Sequence, residues 1–343
     1  LKAPVTAQCE KLAPLPLPRQ QGEKPETAPN MKQDEGVPAP VLAGPAAPGT
    51  GFGCVPGFLF CSQVYKRRMK YPFTPARCLL TSAVLMALFA SGVLAADSAS
   101  PKKPVLLYSR YFNAPGEMRY LPDGTYKDIL TRLRSEFEVR VHREPLNDRT
   151  LAGVNVVLIA NPSDKPVGTN PPPSHVSPTD IEVLTRFVQN GGGLIVMGNQ
   201  ENHNLEIEDM NRLLLRFGLQ FTNLYTDVKK LTLPAETPII GGLRWGYYTG
   251  NLVLITSGHS AHPRPLVVND LAQKPLNGTR DTPGALLAIA EPGGGHVAVV
   301  TDAGWISNDA LSEKGIGGVA VKGQDNWEIF RRLAHWTAQG SRP

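Results

Sequence analysis

From residue 104 onward the sequence predicts one α/β domain with a mainly parallel central sheet, completed by a C-terminal β-hairpin plus helix. Two observations carry this. Val154 to Ala160, VNVVLIA, is continuously apolar and β-branched, the composition of a strand buried on both faces. Between such runs lie segments whose apolar residues recur at helical spacing. Strands alternating with helices imply a parallel sheet covered on both sides, with right-handed crossovers.

The elements follow in order. Val105-Leu106-Leu107-Tyr108 makes the first strand. Residues 124 to 137 place Ile129, Leu130, Leu133 and Phe137 at helical spacing, and a short strand follows at Val139 to His142. After the central strand, Ser177 caps a helix with Pro178 at its first position and Asp180 at its third. Ile181, Leu184, Phe187 and Val188 form its apolar face, and Asn190 with Gly191 to Gly193 ends it. Leu194 to Met197 is the next buried strand. Met210, Leu213, Leu214 and Phe217 mark a helix stopped by Gly218, and Leu252 to Ile255 reads as a further strand. Leu286 to Ala290 and Val297 to Val300 flank Pro292-Gly293-Gly294-Gly295, a hairpin. The last helix runs from Asp325 to Ala338, with Trp327, Phe330, Leu333, Ala334 and Trp336 apolar.

Ahead of this domain the chain changes character. Residues 1 to 68 are crowded with Pro, Gly, Ala and Gln and show neither period, so they are expected to be disordered or to lie upstream of the true start. Met69 to Ala95 has a basic n-region, the apolar run CLLTSAVLMALFASGVL and the small-residue end Val93-Leu94-Ala95. That order is a secretory signal peptide cleaved near Ala96. The run falls short of the roughly 20 residues of a membrane span and no stop-transfer charges follow, so no stable span is expected after cleavage. Residues 96 to 103 form a leader and 339 to 343 a tail, and the protein is expected in the periplasm or secreted.

Cleavage also redistributes charge. Of 35 Lys and Arg and 30 Asp and Glu, ten and five lie before Ala96, which leaves 25 of each in the domain. The net charge of +5 therefore belongs to the presequence and gives no argument for nucleic acid. Cys9, Cys54, Cys61 and Cys78 all precede the cleavage site, so the domain has no disulfide, thiolate metal site or thiol nucleophile.

In open α/β sheets ligands bind beyond the carboxyl ends of the strands. Arg110 follows the first strand there, and Asn161 follows VNVVLIA. Asn199, Gln200, Glu201, Asn202 and His203 follow LIVMG; Asp302, Trp305, Ser307 and Asn308 follow HVAVVT. The segment Asn199 to His203 is the densest, with a carboxylate, an imidazole and three amides, groups suited to acid–base work or to holding a sugar. Glu201, His203 and Asp302 are the catalytic candidates. Arg110, Asn161, Asn199, Gln200, Trp305 and Asn308 are the ligand-binding candidates. Asp302 has a second reading, as a strand-end carboxylate capping the next turn, with Trp305 and Asn308 supporting that turn. Trp245, Tyr247 and Tyr248 either stack on a sugar ring or cover one side of the sheet. His259 and His262 lack a third ligand by spacing and read as loop residues. H-E-x-x-H, G-x-S-x-G and G-x-x-x-x-G-K-[ST] are absent, and no metal or cofactor is expected. Gly315-Ile316-Gly317-Gly318 reads as a flexible loop or lid.

FVQNGGGLIVMGNQE with the following IEDMNRLLLRFGLQF, and the ending GGGHVAVVTDAGWISN to DNWEIFRRLAHW, resemble the class I glutamine amidotransferase-like superfold. The likeness is greatest to exported branches: ThuA-like (trehalose-utilisation) proteins and the amidotransferase-like domains of gliding-motility and intraflagellar-transport proteins. It covers most of residues 104 to 338 and implies a flavodoxin-like three-layer sandwich. In true amidotransferases the turn after the strand matching LIVMG carries the catalytic cysteine. Here that turn is Met197-Gly198-Asn199-Gln200, with neither Cys nor Ser. The superfold's His-Glu pair has no counterpart in Thr301-Asp302-Ala303-Gly304. The resemblance thus implies a domain that does not hydrolyse glutamine through a thioester. Two functions follow: a non-catalytic module binding a carbohydrate or a cell-envelope protein, or a ThuA-like carbohydrate enzyme using Glu201 or Asp302 with His203.

Overall fold

In a computed structural model of the chain, residues 102–312 and 324–340 are described, all within the compact unit Ala87–Pro343. The expectations for residues 1–68, the signal peptide at 69–95, leader residues 96–101, the loop Gly315–Gly318 and residues 341–343 lie outside the described residues. Among those described, no helix is long and apolar enough to cross a membrane.

The strands are β1 (Val105–Ser109), β2 (Glu138–His142), β3 (Val156–Ala160), β4 (Gly193–Met197), β5 (Leu219–Phe221), β6 (Lys229–Thr232), β7 (Arg244–Tyr247), β8 (Val253–Ile255), β9 (Arg264–Val268), β10 (Ala285–Ala290) and β11 (His296–Val300). The helices are α1 (Lys127–Leu133), α2 (Asp148–Leu151), α3 (Pro178–Gln189), α4 (Glu208–Leu214), α5 (Asn308–Leu311) and α6 (Asn326–Ala338). The main sheet runs β2-β1-β3-β4-β11-β10-β8-β5, with β9 also on β10. From β2 to β11 every pairing is parallel. The hairpin β10–β11 reverses direction, and β8, β9 and β5 extend an antiparallel wing. The protein is therefore α/β with a mixed, mostly parallel sheet. The strand expected at Leu252 to Ile255 is β8, and it lies in this antiparallel wing.

β1, β3 and β4 are buried at every position, which explains their unbroken apolar composition. Their period of two sends Leu106, Tyr108 and Leu158 to one face, against Ile129 and Leu133 of α1 and Phe330 of α6. Leu107, Val157 and Val196 go to the other, against Leu184 of α3 and Met210 of α4. The α3 entrance is a reciprocal cap: Ser177 Oγ accepts from Asp180 N at 3.2 Å and Ser177 N donates to Asp180 Oδ2 at 2.9 Å. Gly193 lets α6 lie directly on β4, because a Cβ there would sit 2.3 Å from the Thr337 carbonyl oxygen. Gly218, at φ 72°, ends the helical stretch through Phe217 in the left-handed conformation that glycine tolerates.

β6 and β7 form a separate antiparallel pair. Neither was expected, nor were β5, β9 and α2. These elements are short, and β6 reads KKLT and β9 RPLVV, with charges and a proline where an apolar run would give a signal. The parallel strands bring their carboxyl ends, Ser109, Ala160, Met197 and Val300, to one side. The segments that follow them build the site.

Candidate functional site

A cavity of ≈ 370 Å³ opens beyond β4 and β11, with Arg119, Tyr120, Asn199, His203, Tyr248, Thr249, Asn277 and Asp302 in its wall. Its frame is a chain of asparagines. Asn113 Nδ2 donates to the carbonyls of Ala160 and Asn161 at 3.0 and 2.8 Å. Asn161 is fully buried at φ 44°, a left-handed conformation that asparagine accepts more readily than most residues. Its Oδ1 accepts from Asn199 N at 2.9 Å and its Nδ2 donates to the His203 carbonyl at 3.1 Å. One amide thereby ties the turn after β4 to the end of β3.

Asn199 carries the frame to the cavity. Its Oδ1 accepts from Ala303 N, just after β11, and its Nδ2 lies 3.1 Å from Tyr120 Oη and 3.3 Å from His203 Nδ1. Tyr120, at φ 61°, is held by its carbonyl, which accepts from Tyr108 Oη at 2.6 Å and from Arg110 Nη1 at 3.2 Å. Burial pushes the Tyr108 phenol up to about 12 and raises Tyr120 further, so both stay protonated at neutral pH. At the rim, Arg119 forks onto Glu117 at 2.9 and 2.6 Å. Burial opposes ionisation of Glu117, but the Arg119 bonds outweigh it and hold the carboxyl below its usual range. His203 is pulled down by burial first and then by Arg119 and Arg280, so its ring is neutral at pH 7.

Asp302 closes the wall from β11. It is fully buried, and its oxygens accept from Tyr248 N at 2.7 Å and Gly304 N at 2.6 Å, with the Thr249 and Trp305 amides adding to them. Burial pushes its carboxyl up to about 7 against those four amides.

The structure thus brings together Asn199, His203 and Asp302 from the expected set, with Asn161 directly behind them. Glu201 stands apart. It is exposed, outside the cavity wall, and accepts from Asn223 Nδ2 at 2.6 Å. Gln200 is buried and donates to Thr249 Oγ1 at 2.5 Å. Arg110 braces the Tyr120 loop through the carbonyls of Glu117, Arg119 and Tyr120 instead of facing the cavity. Trp305 is a core residue, edge-on to Trp245 at 5.5 Å and to Phe330 at 5.9 Å. Asn308 holds the start of α1, accepting from Asp128 N at 3.0 Å and donating to the Gly124 carbonyl at 2.9 Å. Trp245 and Tyr247 are fully buried and cover the sheet, whereas Tyr248 reaches the cavity. Elsewhere, His175, Glu206 and Asp209 bring ligand atoms within 4.8 Å of one another. Their bonds are internal: His175 Nδ1 to Asp209 at 3.2 Å, and both Glu206 oxygens to the amides of Asp209 and Met210.

No protein-family model matches the chain. The intraflagellar transport protein 52 homolog of Mus musculus is 24% identical over 112 residues, 33% of this chain and 24% of that protein. The match spans about a quarter of that relative's length. Among solved structures, the mmIFT52 N-terminal domain superposes with a TM-score of 0.50 at 17% identity, over 70% of this chain and 99% of that one. The fold is class I glutamine amidotransferase-like. A thua-like protein from Bacteroides uniformis ATCC 8492 is also similar, at 10% identity and a TM-score of 0.42, over 72% of this chain and 95% of that one.

In this amidotransferase-like domain the turn after β4 offers no nucleophile. Gly198, Asn199 and Gln200 are all at negative φ, and Gln200 is extended at φ −140° and ψ 162°, so that turn lacks the strained backbone that exposes a nucleophile at a strand end. The residues that sequence reasoning missed are Tyr120 and Arg119, from the irregular segment after β1, and Thr249 and Asn277 from loops of the antiparallel wing. Only the position of Tyr120 and Arg119 downstream of a buried strand could have pointed to them.

Proposed function

We propose that the chain is an exported, non-catalytic amidotransferase-like module that binds a small carbohydrate in the cavity between Tyr120, Asn199, His203, Tyr248 and Asp302. The observation that carries this reading is the chemistry of the wall. Its surface is largely apolar, with the Tyr120 and Tyr248 rings in it, and is interrupted by uncharged hydrogen-bonding side chains such as Asn199, His203, Thr249 and Asn277; its volume lies at the small end of the roughly 300–1,000 Å³ typical of ligand sites. Asp302, the acid–base candidate in the wall, has its oxygens turned to backbone amides. A full-chain thermal-shift screen against mono- and disaccharides is expected to find saturable stabilisation, and a panel of nitrophenyl glycosides is expected to show no turnover. Stabilisation by none of the sugars would sink the proposal.

The enzyme reading draws support from one feature, a carboxyl near 7 in the same cavity as a neutral imidazole. General acid–base catalysis needs that carboxyl within reach of a substrate proton. Measurable glycoside turnover would favour this reading. Export rests on the Met69 to Ala95 segment. Sequencing the N-terminus of protein recovered from its native envelope is expected to start near Ala96; intact residues 1 to 95 on cytoplasmic protein would contradict it.

A further inference from the structure

The hydrogen-bond polarity of the cavity follows from one side chain. Ala303 N can only donate, so the Asn199 atom facing it is the oxygen, and the amide nitrogen must face Tyr120 and His203. An amide NH₂ can only donate. Tyr120 Oη and His203 Nδ1 are therefore both acceptors on that side. A neutral imidazole that accepts at Nδ1 carries its proton on Nε2. A phenol that accepts at its oxygen still has its own proton to give. Among the described residues neither Tyr120 Oη–H nor His203 Nε2–H has an acceptor, and both residues line the cavity.

The arrangement is fixed in advance. Asn199 is held through its own amide by Asn161, and Asn161 by its left-handed backbone and by Asn113. We propose that Asn199 sets Tyr120 and His203 as a pair of donors toward the cavity, so that the site selects a ligand oxygen bearing no proton: the carbonyl of an N-acyl group or a carboxylate. This rests on the carbohydrate-binding reading and adds which atom of the ligand is recognised. A ligand hydroxyl in that place could accept from the pair but would still have a proton to place, and the nearby Asp302 oxygens are held by amides; a carbonyl or carboxylate oxygen meets both donors and has no such proton. Arg119 at the rim favours a carboxylate, whereas exposed Asp309, also in the wall, disfavours one. The test therefore carries both forms.

The first measurement needs no ligand. In ¹⁵N-labelled full-length protein, the His203 ring, assigned by its loss in His203→Gln, is expected as the Nε2–H tautomer at neutral pH. Asn199→Asp keeps the acceptor for Ala303 but puts a carboxylate oxygen against Nδ1, and the ring is expected to become Nδ1–H or imidazolium. An Nδ1–H or charged ring in the wild type overturns the proposal. The second measurement is calorimetric titration with N-acetylglucosamine, glucuronate and glucose. One of the first two is expected to bind about tenfold or more tightly than glucose, with that margin lost in Tyr120→Phe. Equal binding of all three overturns donor selection and leaves the carbohydrate reading standing. Binding of acetamide or acetate as tightly as the sugars supports donor selection and removes the carbohydrate reading. Binding of none overturns both.

Discussion

Asp302→Ala is expected to destabilise the domain by about 3–5 kcal/mol, because it strands up to four amides that are buried or part-buried, each costing up to about 1–3 kcal/mol when left unpaired. Against a typical domain stability of about 5–15 kcal/mol, the variant should fold marginally, and chemical denaturation measures this directly. The wild type should also show a pH signature from the same group. Asp302 titrates near 7 in the fold and near its ordinary 3.8 when unfolded, so between those values the native state holds a proton that the unfolded state releases. Its contribution is complete below about pH 4 and is lost as pH rises through 7, an effect of a few kcal/mol. The difference in stability between wild type and Asp302→Asn should shrink accordingly from pH 5 to pH 8. A difference that stays flat over that range would show that the four amides outweigh burial and keep the carboxylate charged.

Asp281→Ala should cost about 3–5 kcal/mol, the penalty for leaving one partner of a buried ion pair alone. Lys229 is fully buried; its ammonium meets Asp281 Oδ1 at 2.7 Å, Asn269 Oδ1 at 2.8 Å and the Asp270 carbonyl at 3.0 Å. Without Asp281 the ammonium keeps only neutral acceptors. Adding Lys229→Met should recover much of the loss, since an apolar side chain there needs no partner. The pair ties β6 to the loop that carries Asn277 into the cavity wall. Asp281→Ala should therefore weaken ligand binding as well as folding. A loss below about 1 kcal/mol would place this pair with ordinary surface ion pairs.

The parallel half of the fold was legible because burial on both faces leaves an unbroken apolar signature, as in VNVVLIA, and because Ser177 and Asp180 form a cap that is visible in sequence. The antiparallel wing was not. Its strands are three to five residues long outside β10, and one-sided burial leaves Lys230 and Thr232 outward on β6. The strand-end rule pointed to Asn199, His203 and Asp302, which share one cavity wall. It could not separate Glu201 from His203, which the 3-10 turn Glu201–His203 sends in different directions at about three residues per turn. Nor could it find Tyr120, whose place depends on a left-handed backbone and on Arg110 beneath it, both set by tertiary contacts. Trp305, expected at the ligand, fills the core because its ring packs between Trp245 and Phe330.

The claim that this domain works through its cavity is tested most directly by titrating the full chain with the sugar that stabilises it best, in the wild type and in Thr249→Trp. Thr249 is half-buried in the wall, and an indole in its place adds bulk to a cavity of ≈ 370 Å³. Saturable binding by the wild type, lost in Thr249→Trp while its thermal unfolding stays cooperative, is the predicted result. Unchanged affinity in a folded Thr249→Trp would contradict it, because the ligand would then bind elsewhere on the protein.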